Sequence, residues 1–373
     1  MDALTTPLPK GWQKVRLGDV AEINPPTIIP NVFYYIDLES VEKGQLLNKQ
    51  LMTKNKAPSR ARRLLSKNDI LYQLVRPYQR NNYFFTLNGN YVASTGYAQI
   101  RTLQNPSFLY FALLSNYFVN AVLDRCEGTS YPAISSNELK KCEIILPPLN
   151  EQIAIANILS DVDRYLYSLD ALILKKESVK KALSFELLSQ RKRLKGFNQA
   201  WQKVRLGDIA NYLTSNLSAE QITQQGKIKV YDVNNFIGYT DTTFISDKPY
   251  ISIVKDGSVG RVRILPPKTN ILSTMGALIA NHKTTTEFLF YLLSNFDFKN
   301  FTSGSIIPHI YFKDYKEKTI FLPPLDEQIA IANILSGLDH EIISLKNKKR
   351  QFENIKKALN HDLMSAKIRV LKK

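Results

Sequence analysis

The feature that most constrains the fold is that the chain repeats two of its own segments. Residues 12–19 read WQKVRLGD, and residues 201–208 repeat them without change, 189 positions later. Residues 146–160 read LPPLNEQIAIANILS, and residues 322–336 differ from them only in having Asp326 at the position of Asn150, 176 positions later. Identity of this extent indicates an internal duplication, and such a repeat decides the architecture. We therefore expect two copies of one framework.

The segments between the repeats are unlike each other. Residues 24–140 and 213–316 share little identity, and the second interval is 13 residues shorter, as the two offsets of 189 and 176 show. The pattern predicts a first variable domain over residues 1–146 and a central helix over 147–195. It further predicts a second variable domain over residues 196–323 and a C-terminal helix over 324–373. Nearly identical frames around dissimilar inserts are typical of one scaffold that holds two different binding domains.

Each repeated Leu-Pro-Pro is predicted to open a long helix, because proline suits the first helical turn. Glu151 and Glu327 then lie near the helix start, where the helix dipole favours anions. Apolar residues follow a heptad spacing that predicts a coiled-coil seam: Ile155, Leu159, Val162, Leu166, Leu169, Ile173, Val179, Leu183 and Leu187 in the first copy, and Ile331, Leu335, Leu338, Ile342, Leu345, Ile355, Leu359 and Leu363 in the second.

Helices of about 45 residues would be about 70 Å long, and a narrow apolar stripe of that length needs a partner. We expect the two copies to pair antiparallel with each other; the alternative is that each packs on its own domain. The lysines and arginine on their side faces either face solvent or contact phosphate: Lys175, Lys176, Lys180, Lys181, Lys346, Lys348, Lys349 and Arg350.

The variable segments are predicted to be mixed α/β domains with short strands, so that the whole chain is α+β, with a pseudo-two-fold arrangement about the helix pair. The expected strands cover residues 69–74, 91–101, 143–146, 228–234, 250–255, 260–265 and 319–322. Aromatic-rich helices are expected over residues 105–124 and 286–298.

The net charge of +17 and the pI near 9.6 favour a polyanionic partner. We expect neither a membrane span nor a signal peptide, because no run of about 18 apolar residues occurs and the N-terminus lacks a basic stretch before an apolar one. The cytoplasm is the expected compartment, with Cys126 and Cys142 as ordinary buried thiols.

Several loops carry residue types that contact DNA. Arginine, glutamine and asparagine make paired hydrogen bonds to guanine and adenine edges, and arginine clusters suit phosphates. The candidates in the first variable domain are Arg60, Arg62, Arg63, Gln73, Arg76, Tyr78, Gln79, Arg80 and Asn81, and those in the second are Lys255, Ser258, Arg261, Ser303, Ser305 and His309. The loops 128–132 and 303–309 lie at equivalent positions before the long helices. Their small and polar residues are expected to suit insertion into a groove of the DNA.

The motifs of DNA-modifying and DNA-translocating enzymes are missing from the sequence. No Walker A pattern occurs, and the four histidines lack metal-ligand spacing. Asn24-Pro25-Pro26-Thr27 resembles the Asn-Pro-Pro-aromatic loop of adenine methyltransferases, but Thr27 replaces the aromatic residue, and no glycine-rich turn for S-adenosylmethionine accompanies it. We therefore expect a chain without catalytic residues, cofactor or metal.

The whole chain resembles the specificity subunit of Type I restriction-modification enzymes. The resemblance rests on Trp-x-x-Val-x-Leu-Gly-Asp at the start of each half, on Leu-Pro-Pro-Leu-x-Glu-Gln at each helix, and on residues 74–78 with 94–96 and residues 256–260. It implies two target recognition domains that each read one half of a split sequence in double-stranded DNA, and helices that set the gap between the halves. It also implies two methyltransferase subunits and two restriction/translocase subunits as partners.

Two other interpretations stay open at this point. The first is a structural coiled-coil adaptor whose inserts bind proteins. In that case the complex of the chain with its methyltransferase would show no preference for any DNA sequence. A stand-alone DNA methyltransferase or nuclease is the other alternative; S-adenosylmethionine binding by the isolated chain, measured by calorimetry, would favour it.

Overall fold

The computed structural model describes residues 8–371 and divides the chain into two compact units. The first unit comprises residues 1–170 with 348–373, and the second comprises residues 171–347. Two helices of 40 residues, the first long helix (Leu149–Leu188) and the second long helix (Leu325–Met364), each contribute to both units. The predicted α+β class, with sheet-rich domains and long helices, is confirmed.

The first unit contains two four-stranded sheets and several short helices. One sheet has the strand order Gln50–Thr53, Val32–Ile36, Tyr91–Ser94, Ala61–Leu64, and the other has the order Ala21–Ile23, Tyr97–Thr102, Ile70–Gln73, Tyr83–Phe84. A small ribbon pairs Val41–Glu42 with Gln45–Leu46. The short α-helices are Leu17–Val20, Pro106–Leu113, Asn116–Leu123 and Ser136–Lys141.

The second unit contains one four-stranded and one three-stranded sheet. The four-stranded sheet has the order Ala210–Thr214, Met275–Ala280, Tyr250–Val254, Val262–Leu265, and the other has the order Phe236–Thr240, Ile228–Tyr231, Thr269–Ile271. The short α-helices are Thr286–Ser294 and Phe312–Tyr315.

In each unit the two repeated segments meet. Gln13–Arg16, from the first repeated motif, pairs antiparallel with Glu143–Leu146, which leads into the first long helix. Gln202–Arg205 pairs with Thr319–Leu322 in the same register before the second long helix. The repeated motifs are thus the closing ribbon of each unit and the entry to its helix.

Within each unit the two long helices run antiparallel. Partner numbers fall from Asp163–Lys356 to Asp170–Lys349 in the first unit and from Lys176–Glu341 to Lys180–Asp339 in the second. In the first unit Asp163 contacts Lys356 at 2.5 Å and Asp170 contacts Lys349 at 2.6 Å. In the second unit the ion pairs are Lys176–Glu341 at 2.8 Å, Glu177–Lys346 at 2.6 Å and Lys180–Asp339 at 2.5 Å. Several lysines of the predicted side faces therefore bridge the helices, and partly exposed pairs of this kind contribute at most about 1 kcal/mol each.

Both helices end earlier than the expected length of about 45 residues. Gln190 and Ala366, at equivalent positions, adopt left-handed backbone angles with φ of 62° and 57°. The amide of Lys192 donates to the carbonyl of Glu186 and that of Ile368 to Asp362, at 3.1 and 3.2 Å. Such bonds close a helix C-terminus around a left-handed residue, which explains why each helix has 40 residues.

The apolar seam is confirmed over most of its length and is wrong at two equivalent positions. Ile155, Leu159, Ile331 and Leu335 are at most 1% exposed, whereas Val179 and Ile355 are 39% and 49% exposed. A straight helix of 3.6 residues per turn drifts about 20° per heptad from a perfect seam. In the first helix Ser184 becomes buried after Val179.

At equivalent positions in the two units, the two long helices contact each other through different residue types. In the first unit the rings of Tyr165 and Phe352 pack with their centroids 4.6 Å apart. The corresponding residues of the second unit, Glu341 and Lys176, form the 2.8 Å ion pair. At these equivalent positions the duplication has diverged, to an aromatic contact in one unit and an ion pair in the other.

Several predicted elements are shorter or divided; the strands expected over residues 228–234 and 260–265, for example, are Ile228–Tyr231 and Val262–Leu265. The strand expected over residues 91–101 is two strands, Tyr91–Ser94 and Tyr97–Thr102, separated by a turn. The helix expected over 105–124 breaks at Ser115, whose hydroxyl accepts from the amide of Phe118 and caps a second helix. The helix expected over 286–298 ends at Ser294.

No single helix in residues 8–371 is long and apolar enough to cross a membrane, although the bent pair Pro106–Leu113 and Asn116–Leu123 passes such a test by length and composition alone.

In each unit a buried glutamate joins three segments that are far apart in the sequence. In the first, Glu151 is 2% exposed and accepts from the indole Nε1 of Trp12 at 2.9 Å and from the guanidinium of Arg369 at 2.6 Å. In the second, Glu327 is fully buried and accepts from Trp201 at 2.9 Å and Arg193 at 2.6 Å. The same three residue types thus join the first repeated motif, the helix start and the segment after the other long helix.

The neighbouring glutamine makes a second repeated connection. Gln152 donates to the carbonyl of Pro147 at 2.8 Å and accepts from the amide of Asn105 at 3.1 Å. Gln328 makes the same two bonds, to Pro323 at 2.8 Å and from Thr285 at 3.1 Å. Asn105 and Thr285 cap the aromatic-rich helix of each unit, so each glutamine fixes that helix to the long one.

We predict that Glu327→Gln lowers the free energy of unfolding of the full chain by about 2–3 kcal/mol. Removing one partner of a buried ion pair costs about 3–5 kcal/mol, and this is reduced because the Arg193 side chain keeps 30% of its surface in water. Urea unfolding at neutral pH measures the effect. Glu22→Gln, at an exposed strand position, is the matched control and should stay within about 0.5 kcal/mol of the parent; equal effects of both substitutions would contradict the prediction.

Candidate nucleic-acid interface

Each unit presents one exposed loop that its own backbone holds closed. The first tip loop is Glu127–Ala133 and the second tip loop is Ser303–His309; their end residues exchange two amide-to-carbonyl bonds, both 2.9 Å in the first and 2.9 and 2.7 Å in the second. Gly128 and Gly304, one residue into each loop, have φ of 87° and 89°. These left-handed angles favour glycine and let both loops make the same tight turn.

The two tip loops are anchored to the rest of their units by identical backbone bonds. In the first unit Arg76 N donates to Pro132 O at 2.7 Å, and Ile134 N donates to Leu74 O at 3.0 Å. In the second unit Gly257 N donates to Pro308 O and Ile310 N to Lys255 O, both at 2.9 Å. Loops of unlike sequence are therefore presented on one common backbone frame.

Arg76 lies where the second unit has a glycine. Its φ is 53°, and that of Gly257 is 86°. A non-glycine residue held in the left-handed region costs about 1–2 kcal/mol, and such strain concentrates at functional positions. The guanidinium carbon of Arg76 lies 4.2 Å from the ring centroid of Tyr131, whose side chain is 64% exposed on the first tip loop. The structure thus holds a flat guanidinium in place beside an exposed ring.

The other polar candidates after the strand Ile70–Gln73 mostly bond to one another. Gln73 is 3% exposed; its side chain donates to Gln79 at 2.9 Å and accepts from the amide of Asn81 at 3.1 Å. The oxygen of the Asn81 side chain accepts from the amide of Lys43. Gln73 and Asn81 therefore shape this turn, and Tyr78, 49% exposed, is accessible.

Arg80 differs from Arg76 in being tied to the protein. It donates to the carbonyl of Leu114 at 3.0 Å and to the side-chain oxygen of Asn116 at 2.7 Å. Burial lowers the pKa of its guanidinium below the ordinary value. We assign Arg80 to support of the turn between two helices.

The arginine cluster lies at and before the strand Ala61–Leu64. Arg60 and Arg62 are exposed, and Arg62 donates to the carbonyl of Ser59 at 2.7 Å. Arg63 is half-buried, with its Nε unpartnered, and burial lowers its pKa, helped by the nearby charge of Arg62. Arg60 and Arg62 stay the accessible candidates for phosphate contact.

The candidates of the second unit gather around the second tip loop. Ser258, Arg261, Ser303 and Ser305 are exposed, and Arg261 donates to Asn234 at 2.8 Å. Nδ1 of His309 lies 2.7 Å from Oδ1 of Asp256, so this pair ties the loop base to the turn after Tyr250–Val254. Lys255 is half-buried next to the same anchor.

The candidates proposed from the sequence do not include the apolar residues at the tips. Tyr131 is 64% exposed, and Ile306 and Ile307 are 93% and 54% exposed. The available signal was the alignment of Gly128–Pro132 with Gly304–Pro308 at the same offset of 176 positions as the helices. That alignment places Tyr131 opposite Ile307 as the variable residue next to a shared proline.

The side chain of Asn24, in the segment that resembles a methyltransferase loop, is committed to the fold. Its Oδ1 accepts from the amide of Gln99 at 3.0 Å and its Nδ2 donates to the hydroxyl of Ser136 at 2.8 Å. These contacts fit a structural turn.

Comparison with known proteins decides the family. The sequence matches the family described as Type I restriction modification DNA specificity domain over residues 9–176 and again over residues 198–354. The chain belongs to this family. The two matches coincide with the two halves of the duplication, and membership confirms the resemblance and the class of function that it implied, DNA recognition in a restriction-modification system.

Relatives and solved structures agree with the specificity family. A putative type I restriction enzyme MjaX specificity subunit from Methanocaldococcus jannaschii is 33% identical over 64% of this chain and 62% of its own length. The MjaVIII specificity subunit of the same organism is 24% identical over 97% of this chain and 94% of its own length. The crystal structure of a Type I restriction-modification S subunit from M. genitalium has a similar fold, with a TM-score of 0.62 at 20% identity over 95% of this chain and 96% of that one.

Proposed function

We propose that this chain is the non-catalytic specificity subunit of a Type I restriction-modification complex, in which each unit reads one half of a split DNA target. Partner subunits would carry out adenine methylation and cleavage. The observation that carries the proposal is the pair of tip loops, which share their anchoring backbone bonds and differ in the side chains they present. A common frame with interchangeable side chains is what two readers of different bases require.

Arg76 is the strongest candidate for a base contact in the first unit. A guanidinium can donate two parallel hydrogen bonds to O6 and N7 of guanine. The guanidinium of Arg76 already lies over the Tyr131 ring before DNA arrives, so less side-chain freedom is lost on binding. Exposed Arg60 and Arg62 would add phosphate contacts that position the duplex without reading it.

Exposed apolar residues at the start of both long helices suit two copies of one partner. Leu149 and Ile153 are 54% and 43% exposed, and their counterparts Leu325 and Ile329 are 43% and 47% exposed. Unlike the tip loops, this face is the same in both units, so we propose that one methyltransferase subunit docks on each. Two restriction/translocase subunits would join them, by analogy with the family, in the cytoplasm where the DNA lies.

The long helices are proposed to set the gap between the two half-sites. Each is continuous over 40 residues and contributes to both units. Because the pairing is antiparallel in each unit, a length change needs matched deletions: residues 171–177 in the first helix lie opposite residues 342–348 in the second, as the flanking pairs Asp170–Lys349 and Lys180–Asp339 indicate.

We predict that Arg76→Ala relaxes one half-site at one position, by about 1–3 kcal/mol of discrimination. Methylome sequencing of cells that carry the chain with its partners reads the target directly. Arg80→Ala is the matched control; it should lower the melting temperature and leave both half-sites unchanged. Equal weakening of both half-sites by Arg76→Ala would indicate a phosphate contact only, and no sequence preference in the parent complex would favour the adaptor interpretation.

We predict that Ile153→Glu and Ile329→Glu each release one of two methyltransferase copies, because a charge on a docking face opposes burial. Native mass spectrometry of the purified complex counts the copies, and the double variant should retain none. Leu103→Glu, at a fully exposed residue outside the repeated face, is the control and should keep both. Retention of both copies in the two single variants would rule this docking face out.

We predict that deleting residues 171–177 together with 342–348 shortens the unread gap and preserves both half-sites. Removing seven helical residues shortens a helix by about 10 Å, or about three base pairs at about 3.4 Å per pair. Methylome sequencing gives both quantities. Changed half-sites with an unchanged gap would refute the role of the helices as a spacer; deletion in one helix alone is the control and should destabilise the pairing.

A further inference from the structure

The second tip loop exposes two aliphatic side chains at its end. Ile306 is 93% exposed and Ile307 is 54% exposed. Their neighbours on both sides, Ser303 and Ser305 before them and His309 after them, are polar. An apolar pair that protrudes from a polar loop gains free energy only when something covers it, and the described contacts of the unit leave it uncovered.

The backbone holds this pair outward rigidly. The loop is closed by the two bonds between Ser303 and His309 and anchored by the bond from Gly257 N to Pro308 O at 2.9 Å. A Cβ on Gly304 would lie 2.3 Å from the carbonyl oxygen of Ile307, so the turn beneath the tip is packed as tightly as a backbone allows. The two isoleucines are thus presented on a fixed support, as an inserting element requires.

The surroundings of the tip favour a nucleic acid over a protein as the covering partner. Lys255 and Arg261 flank the anchoring turn, and the nearby carboxylate of Asp256 is already bonded to His309. Stable protein interfaces bury about 800 Å² on each partner, which two side chains on a narrow tip do not supply. Short aliphatic side chains are the wedges with which proteins separate stacked base pairs, and here they stand on a loop anchored to a turn that carries a lysine and an arginine.

The first tip loop lacks this feature. At the positions of Ile306 and Ile307 it has Ser130 and Tyr131, and the Tyr131 ring is engaged by the guanidinium of Arg76 at 4.2 Å. The same loop frame therefore presents a hydrogen-bonding group in one unit and an aliphatic wedge in the other.

We propose that Ile306 and Ile307 insert between two neighbouring base pairs of the half-site contacted by the second unit and unstack them locally. This inference rests on the proposed function and adds a second mode of recognition to it. Sequence preference at the unstacked step would come from the ease with which that step opens, which is greatest for pyrimidine–purine steps.

The test uses the complex with its methyltransferase partner and the duplex defined by methylome sequencing. 2-Aminopurine is placed in turn at each position of both half-sites except the methylated base pairs, because unstacking raises its fluorescence. The parent complex should show a rise at one step of one half-site only. Ile306→Ser/Ile307→Ser should lose that rise and Ile306→Leu should retain it. Leu103→Ser, at a fully exposed residue outside both tip loops, should leave it unchanged. The substituted residues are exposed, and unchanged melting temperatures verify the fold.

The outcomes separate this inference from the proposed function. Sequence-specific binding without any rise in the parent complex, or a rise that persists in the double serine variant, overturns the wedge and leaves the proposed function standing. Loss of the methyltransferase subunit from the double serine variant with unchanged unstacking would show the tip to be a protein contact and also overturns it. Absence of sequence-specific binding by the parent complex overturns both.

Discussion

The architecture of each unit depends on a carboxylate buried at the start of a long helix. Glu151 and Glu327 are nearly free of solvent contact, and a charge so placed is tolerated only with strong donors around it. The donors come from distant parts of the sequence: an indole from the first repeated motif and a guanidinium from the segment that follows the other long helix. A parallel or shifted pairing of the two helices would leave a buried charge without its guanidinium partner, so this contact favours the antiparallel register as well as stabilising it. It also explains why these two segments are repeated so faithfully.

The tip loops instead depend mainly on backbone hydrogen bonds, to which the second unit adds the side-chain contact between His309 and Asp256. The amides of Arg76 and Gly257 make the same bond, and so do those of Ile134 and Ile310. The bonds that close each loop come from the backbone, so substitution of Tyr131, Ile306 or Ile307 changes the side chain that is presented and leaves those bonds in place. The repeated frame carries the stabilising contacts, and under the proposed function the tips carry the specificity, which gives a physical account of why two parts of the chain are nearly identical and two are unlike.

Periodicity and residue type predicted what depends on local pattern. The heptad seam, the closing strands 143–146 and 319–322 and the opening of each helix at Leu-Pro-Pro follow from spacing and proline geometry. Contacts between residues far apart in sequence cannot be predicted in this way. From the sequence, Glu151 is expected only to interact favourably with the helix dipole. Its hydrogen bonds to Trp12 and Arg369 become visible only in the structure. Gln73 and Arg80 have the residue types that read bases, yet both are turned into the protein, because composition does not tell which way a side chain in a loop faces.

The contacts between the two long helices differ between the units, and these differences favour pairing of the two helices of one chain. If two first helices from separate chains paired antiparallel, the equivalence of the units would place Tyr165 opposite Lys176, the counterpart of Phe352. The aromatic contact of Tyr165 with Phe352 and the ion pair of Lys176 with Glu341 would both be lost. The pairs Asp163–Lys356 and Lys180–Asp339 are equivalent to each other and would survive such an exchange, so they stabilise helix pairing without selecting the partner. Partner choice therefore rests on the positions where the duplication has diverged. The divergence that distinguishes the two halves thus also favours pairing of the two helices of a single chain, which keeps two unlike units in every molecule.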